Sequence, residues 1–210
     1  MKYCLVPLGC QMNQSDAERI RSVLEELGYE RTDREEEANL LGIVACSVRQ
    51  KAIDKVYSKI HKWNEWKNER NLLTFASGCI LPADREKLLD RFDLLFTINE
   101  LPRLPELIRQ YGVMTPVGAG AISDEAMGDA AEVGSPGLQD IRKGFWKIRP
   151  SYTSSFEAYV PIQNGCDKFC TFCAVPYTRG REVSRPSQEI LAEVSELVDR
   201  GYKSITLLGQ

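Results

Sequence analysis

Residues 3–28 read YCLVPLGCQMNQSDAERIRSVLEELG: an apolar run, a glycine-cysteine turn, then a segment of helical period. Tyr3 to Pro7 has the length and composition of a buried strand. Beyond the turn, Ile20, Val23, Leu24 and Leu27 share one helical stripe that Gly28 ends, and Ser15 with Glu18 is expected to form the capping box at its start. The unit then recurs. Leu40 to Val44 predicts a second strand, followed by an amphipathic helix to about Trp66. Leu72 to Ala76 predicts a third, with a helix from Pro82 to Arg91, and Leu94 to Ile98 a fourth, with a helix over Leu104 to Tyr111. Strands alternating with helices predict an α/β fold with a parallel sheet and crossover helices.

Residues 1–111 are therefore expected to form one domain. Over residues 112–155 periodicity disappears and Gly, Ala, Ser, Pro and acidic residues dominate, as in VGAGAISDEAMGDAAEVGSPG, so this stretch reads as a linker. Residues 156–210 resume the pattern: a strand from Ala158 to Ile162, a helix from Ser187 to Arg200 with Ile190, Leu191, Val194, Leu197 and Val198 on its buried face, and a strand from Ser204 to Leu208. Two parallel strands and one helix leave an open sheet edge, so more chain is expected beyond residue 210. No internal repeat of fixed period is present.

A chain of 210 residues with 43% hydrophobic and 27% charged residues is able to bury a real core. Its net charge of -3 makes no electrostatic case for nucleic-acid binding, which normally rests on clustered Lys and Arg. The start MKYCLVPLGCQMNQ is too short an apolar run for a signal peptide, and no stretch reaches the ~18 apolar residues of a membrane span. A cytoplasmic protein is expected. In that reducing compartment seven cysteines point to metal or catalytic roles rather than disulfides. With His61 the single histidine, any metal site must be mainly thiolate.

The segment NGCDKFCTFCAVPYTRGREVSRP places Cys166, Cys170 and Cys173 within one loop. Thiolates are the usual ligands of iron-sulfur clusters, and three of them on a four-iron cubane leave one iron open for a small molecule. Structural zinc is the alternative. It would want a fourth ligand nearby, and residues 174–210 hold neither Cys nor His. Cys10, Cys46 and Cys79 form a second set, each just past the carboxyl end of an expected strand, in LGC, VAC and SGC. Parallel strands bring those ends to one edge, where α/β folds build sites. Three unrelated buried cysteines would be the alternative there. Cys4, inside the first strand, reads as core.

LGCQMNQSD, ACSVRQKA, SGC, GCDKFCTFCAVPYTRGREVSRP and ITLLGQ together resemble the radical S-adenosylmethionine (radical SAM) methylthiotransferases, most closely the MiaB type that modifies tRNA. The resemblance implies an N-terminal methylthiotransferase domain followed by the first βαβ portion of a partial radical SAM TIM-like barrel. It implies two [4Fe-4S] clusters: one on Cys166, Cys170 and Cys173 that cleaves S-adenosyl-L-methionine to a radical, with Phe172 near the adenine, and an auxiliary one on Cys10, Cys46 and Cys79 that carries sulfur. The implied reaction adds a methylthio group to carbon 2 of N6-isopentenyladenosine beside the anticodon. The implied partners are tRNA and an electron donor such as flavodoxin or ferredoxin, with the chain a monomer. The alternatives are a methylthiotransferase for a ribosomal-protein aspartate or for threonylcarbamoyladenosine, and a non-catalytic iron-sulfur or zinc-binding module.

No acid-base constellation is visible, so no catalytic residue is assigned; an aromatic C-H offers no acidic proton for a general base. Arg179, Arg181 and Arg185 are candidates for tRNA phosphate or the S-adenosylmethionine carboxylate, with solvated or acid-paired arginines as the alternative. Asn13 is expected to fix the Cys10 loop by a side-chain to backbone bond. Trp63 and Trp66 are expected to pack, and His61 to be an ordinary helix residue. The rest of the barrel and a tRNA-binding TRAM domain are absent from these 210 residues, which are therefore expected to be an N-terminal part that does not turn over alone.

Overall fold

The computed structural model describes residues 1–111 and 144–209. Five strands form a parallel sheet: β1 (Lys2–Pro7), β2 (Glu30–Arg31), β3 (Leu40–Cys46), β4 (Leu73–Cys79) and β5 (Leu94–Leu95), in the order β2-β1-β3-β4-β5. Every residue of LLGIVAC in β3 and LTFASGC in β4 is buried, as strands covered on both faces require. Alternation then splits the core in two. Tyr3, Leu40 and Val44 face a cluster with Ile20, Leu24, Phe75 and Phe96, while Cys4, Leu41 and Ile43 face one with Ile60, Trp63 and Leu88. The first face is covered by α1 (Gln11–Glu26) and α4 (Leu104–Gln110), the second by α2 (Gln50–Lys67) and α3 (Pro82–Leu89).

The sequence pattern had not indicated the edge strand β2, several element ends shift by a few residues, and two of the differing boundaries have a clear cause. The strand expected over Leu94 to Ile98 stops at Leu95 because Thr97 caps the next turn: its N-H and Oγ1-H both donate to Glu100 Oε2 at 2.8 Å, which starts a 3-10 turn over Ile98–Arg103. Helix α1 begins earlier than expected, with Cys10 as N-cap and the Cys10 N-H donating to Asn13 Oδ1 at 3.2 Å. Ser15 and Glu18 are thus not a capping box. Both lie buried inside the helix, where Glu18 Oε1 accepts from the Thr153 N-H at 3.0 Å and Thr153 Oγ1 at 2.9 Å, and Ser15 Oγ donates to Tyr159 O at 3.4 Å. Their partners come from far along the chain, which no local pattern can show.

Residues 112–143 of the expected linker lie outside the described residues. Residues 144–147 form a helical turn, α5, whose Phe145 is packed into the first core, with the buried Arg19 guanidinium 5.2 Å from its ring centre. A second sheet follows: β6 (Glu157–Asn164), β7 (Val183–Ser184) and β8 (Ser204–Gly209) in the order β7-β6-β8. β6 runs parallel to β8 and antiparallel to the short β7, a strand the sequence pattern had not indicated. Between them lie α6 (Val175–Thr178) and α7 (Ser187–Asp199). The core here is small: Ala158, Val160, Leu197 and Tyr202. Of the five apolar residues expected on the buried face of α7, only Leu197 is buried; Leu191 and Val198 are exposed. Among the described residues no helix is long and apolar enough to cross a membrane.

Candidate functional site

The first cysteine set gathers at one sheet edge. Cys46 and Cys79 end neighbouring strands and are direct partners in the β3-β4 ladder, both buried. Cys10 follows β1 by three residues, half-buried at the head of α1. The chain reaches it through Gly9, where a Cβ would lie 2.9 Å from Cys46 Cβ and 2.4 Å from Asn13 Oδ1. With φ of +152° at Gly9 and +103° at Gly78, both positions before a cysteine need glycine for backbone as well as for space.

One amide serves all three loops. Asn13 Oδ1 accepts from the Cys10 N-H and lies 3.3 Å from Cys10 Sγ; Nδ2 donates to Ala45 O at 2.9 Å and approaches Cys79 Sγ at 3.9 Å. The expected side-chain to backbone bond is therefore made, and it extends to the strands bearing Cys46 and Cys79.

Arg179, from the loop after the other cysteine set, reaches the same sulfur. Its Nε donates to Cys79 Sγ at 3.1 Å, its two terminal nitrogens to the Asp16 carboxylate at 2.6 and 3.4 Å, and Nη1 also to Asn164 Oδ1 at 3.0 Å. The Arg179 and Asp16 side chains are each 1% exposed, so of the readings of Arg179 the structure has the acid-paired one. Burial works against the Arg179 charge, but Asp16 and the Cys79 sulfur outweigh it and hold the guanidinium more firmly protonated than usual. Burial pushes the Cys79 thiol up, against the pull of Arg179.

The second set lies in the loop after β6. Gly165, at φ +78°, turns the chain, and the Cys166 N-H donates to Gly180 O at 3.1 Å. The Cys173 N-H donates to Cys170 O at 3.0 Å, closing a tight turn that carries both thiols. Cys170 is exposed, while Cys166 and Cys173 are half-buried. Phe172 is 95% exposed and so packs no core. Phe169, at φ +46°, stands edge-on to Tyr177 with the Arg181 guanidinium 5.2 Å from its ring centre.

Among the described residues no three His, Cys, Asp or Glu side chains converge closely enough for a single metal ion. A four-iron cluster is larger than an ion and spreads its ligands further apart. The chemistry of the first set suits one: three thiols at one edge, two glycines that keep side-chain bulk away, and N-H donors from Arg179 and Asn13 directed at sulfur.

The remaining expectations sort by burial. Arg185 is paired with Glu193 and Glu189 and nearly buried, whereas Arg181 is two-thirds exposed and 3.5 Å from Asp167. Trp63 is buried with its indole N-H on Glu35 Oε2 at 3.0 Å, and Trp66 is covered by Lys62 and Arg70. His61 is exposed beside Glu65. Cys4 lies in the second core, its thiol pushed up to about 11 by burial. Asp16, Asn99 and Asn164 escaped sequence reasoning. Asp16 lies 163 residues from Arg179, and nothing in its local sequence marks it as an arginine partner.

The family model described as uncharacterized protein family UPF0004 matches residues 2–98, and that of the radical SAM superfamily matches residues 160–210. Curated relatives include tRNA-2-methylthio-N(6)-dimethylallyladenosine synthases. That of Alkalilimnicola ehrlichii is 35% identical over 96% of this chain and 42% of its own length. That of Haemophilus ducreyi is 36% identical over 100% and 42%, and that of Delftia acidovorans 38% over 100% and 44%. The chain thus spans less than half the length of these relatives.

Proposed function

We propose, for a chain that belongs to the radical SAM proteins carrying an N-terminal UPF0004 domain, that it forms part of a cytoplasmic tRNA methylthiotransferase acting on carbon 2 of N6-isopentenyladenosine. The observation that carries this reading is the pairing of two thiol triplets, Cys10, Cys46 and Cys79 at a sheet edge and Cys166, Cys170 and Cys173 in a loop, linked through Arg179 and Gly180. Cys10, Cys46 and Cys79 would hold one [4Fe-4S] cluster and Cys166, Cys170 and Cys173 the other, and with S-adenosyl-L-methionine these would supply the one-electron, radical and sulfur- and methyl-transfer chemistry that the side chains lack.

The polypeptide holds and separates. Asn13 and the two glycines fix the first set, buried from solvent on two of its three thiols. The second set is left accessible, and exposed Phe172 beside it offers a flat apolar face for an adenine. That the relatives are tRNA-2-methylthio-N(6)-dimethylallyladenosine synthases supports tRNA as substrate. A monomer and a small reducing protein, flavodoxin or ferredoxin, complete the reading.

Anaerobic reconstitution with iron and sulfide tests it. About eight irons per chain are expected, falling to about four when either cysteine triplet is replaced by alanine. Stoichiometric zinc without iron uptake would sink the proposal. For the substrate, RNA mass spectrometry on cells lacking the complete gene should show loss of the 2-methylthio group from isopentenylated adenosine; unchanged RNA would reject tRNA.

A further inference from the structure

Arg179 is aimed at a thiol with more precision than linking the two sets requires. Its side chain touches one thiol set, and its neighbour Gly180 touches the other. On one side Nε donates to Cys79 Sγ at 3.1 Å; on the other, the carbonyl of the next residue, Gly180, accepts the Cys166 N-H at 3.1 Å. Gly165 is pressed against this strand of backbone, since a Cβ there would lie 2.6 Å from Gly180 O. The guanidinium is also held in orientation. Asp16 and Asn164 take its terminal nitrogens, and the Arg179 carbonyl accepts from Asn99 Nδ2 at 3.2 Å while Asn99 Oδ1 accepts from Asn164 at 2.9 Å. With three of the four terminal N-H groups so occupied, the guanidinium is oriented with its Nε-H directed at sulfur.

A cation whose sole purpose was to balance Asp16 would not need to be aimed at a thiol. Hydrogen bonds to ligand sulfurs and exclusion of solvent are two of the factors that set iron-sulfur potentials. Both act here, because a side chain 1% exposed is not screened by water. A donor at sulfur stabilises the extra electron of the reduced cluster and so raises its potential.

We propose that Arg179 is a positioning residue that ties the two thiol sets together and raises the reduction potential of the cluster held by Cys10, Cys46 and Cys79. This rests on the functional reading above. The Arg179-Gly180 segment spans from the sulfur of one set to the backbone of the other, so each loop is placed relative to its partner by two adjacent residues.

The test uses the full chain with Cys166, Cys170 and Cys173 replaced by alanine, so that a single cluster is read. After anaerobic reconstitution its midpoint is measured by redox titration followed by electron-paramagnetic resonance. Arg179→Lys keeps a charge facing Asp16 but loses the Nε donor; the double change Arg179→Met with Asp16→Asn removes both charges. Both variants are expected to hold the same iron and to titrate at a more negative potential, the double variant further. An unshifted midpoint in both overturns the assignment alone. Loss of iron from both variants with the circular dichroism of the parent makes Arg179 a scaffold residue and overturns its electronic role. No cluster on the unaltered Cys10, Cys46 and Cys79 overturns the functional reading and this inference together.

Discussion

Asp16 shows how much one buried charge decides. Its carboxylate sits 2.6 Å from Arg179 with both side chains 1% exposed, so removing either partner strands the other in a low-dielectric interior. Asp16→Ala is expected to cost about 3–5 kcal/mol, read as a lower urea midpoint at unchanged slope. Exposed pairs such as Arg31 with Asp33 should contribute far less. The meeting of Cys46 with Cys79 at one sheet edge was legible because each closes a strand whose apolar run is a local pattern. Asp16 was not, since its meaning depends on a residue that only the tertiary fold brings to it.

At the scale of elements, α1 stands apart because it is covered on both sides. Ile20 and Leu24 face the sheet, while Glu18 meets Thr153 and Ser15 meets Tyr159. Burial raises the Glu18 carboxyl above its ordinary value despite two bonds from Thr153, and its second oxygen has no partner among the described residues. A raised carboxyl favours folding most fully below its unfolded value of about 4.3, and that contribution is lost as pH rises through the folded value. Glu18→Gln keeps an acceptor for Thr153 without the charge. It should therefore be more stable than the parent at pH 7 and equal or less stable near pH 4, as thermal melts across that range would show. Helices α2 and α7 make a further contrast. Ile60, fully buried, should cost about 2–5 kcal/mol on change to alanine, and exposed Leu191 within about 0.5 kcal/mol. Periodicity predicted both helices correctly but gave their apolar stripes equal weight, because a stripe shows what a helix could bury and not what is there to receive it.

At the scale of the whole molecule, the matched families meet across side chains rather than along the chain. The polar face of α1 lies in one and Arg179 and Asn164 in the other, and each supplies what its counterpart lacks. Residues 1–111 and 144–209 produced as separate pieces should therefore associate in solution, and Asp16→Asn in the first piece should weaken that association at least tenfold by titration calorimetry. Synthesis adds a consequence in time. The ribosome releases α1 long before Arg179, so the nascent first domain must present Asp16, Glu18, Arg19 and Arg21 to water until its cover arrives. A face that will end up buried spends its first seconds charged and hydrated, which keeps the half-made protein from sticking to its neighbours.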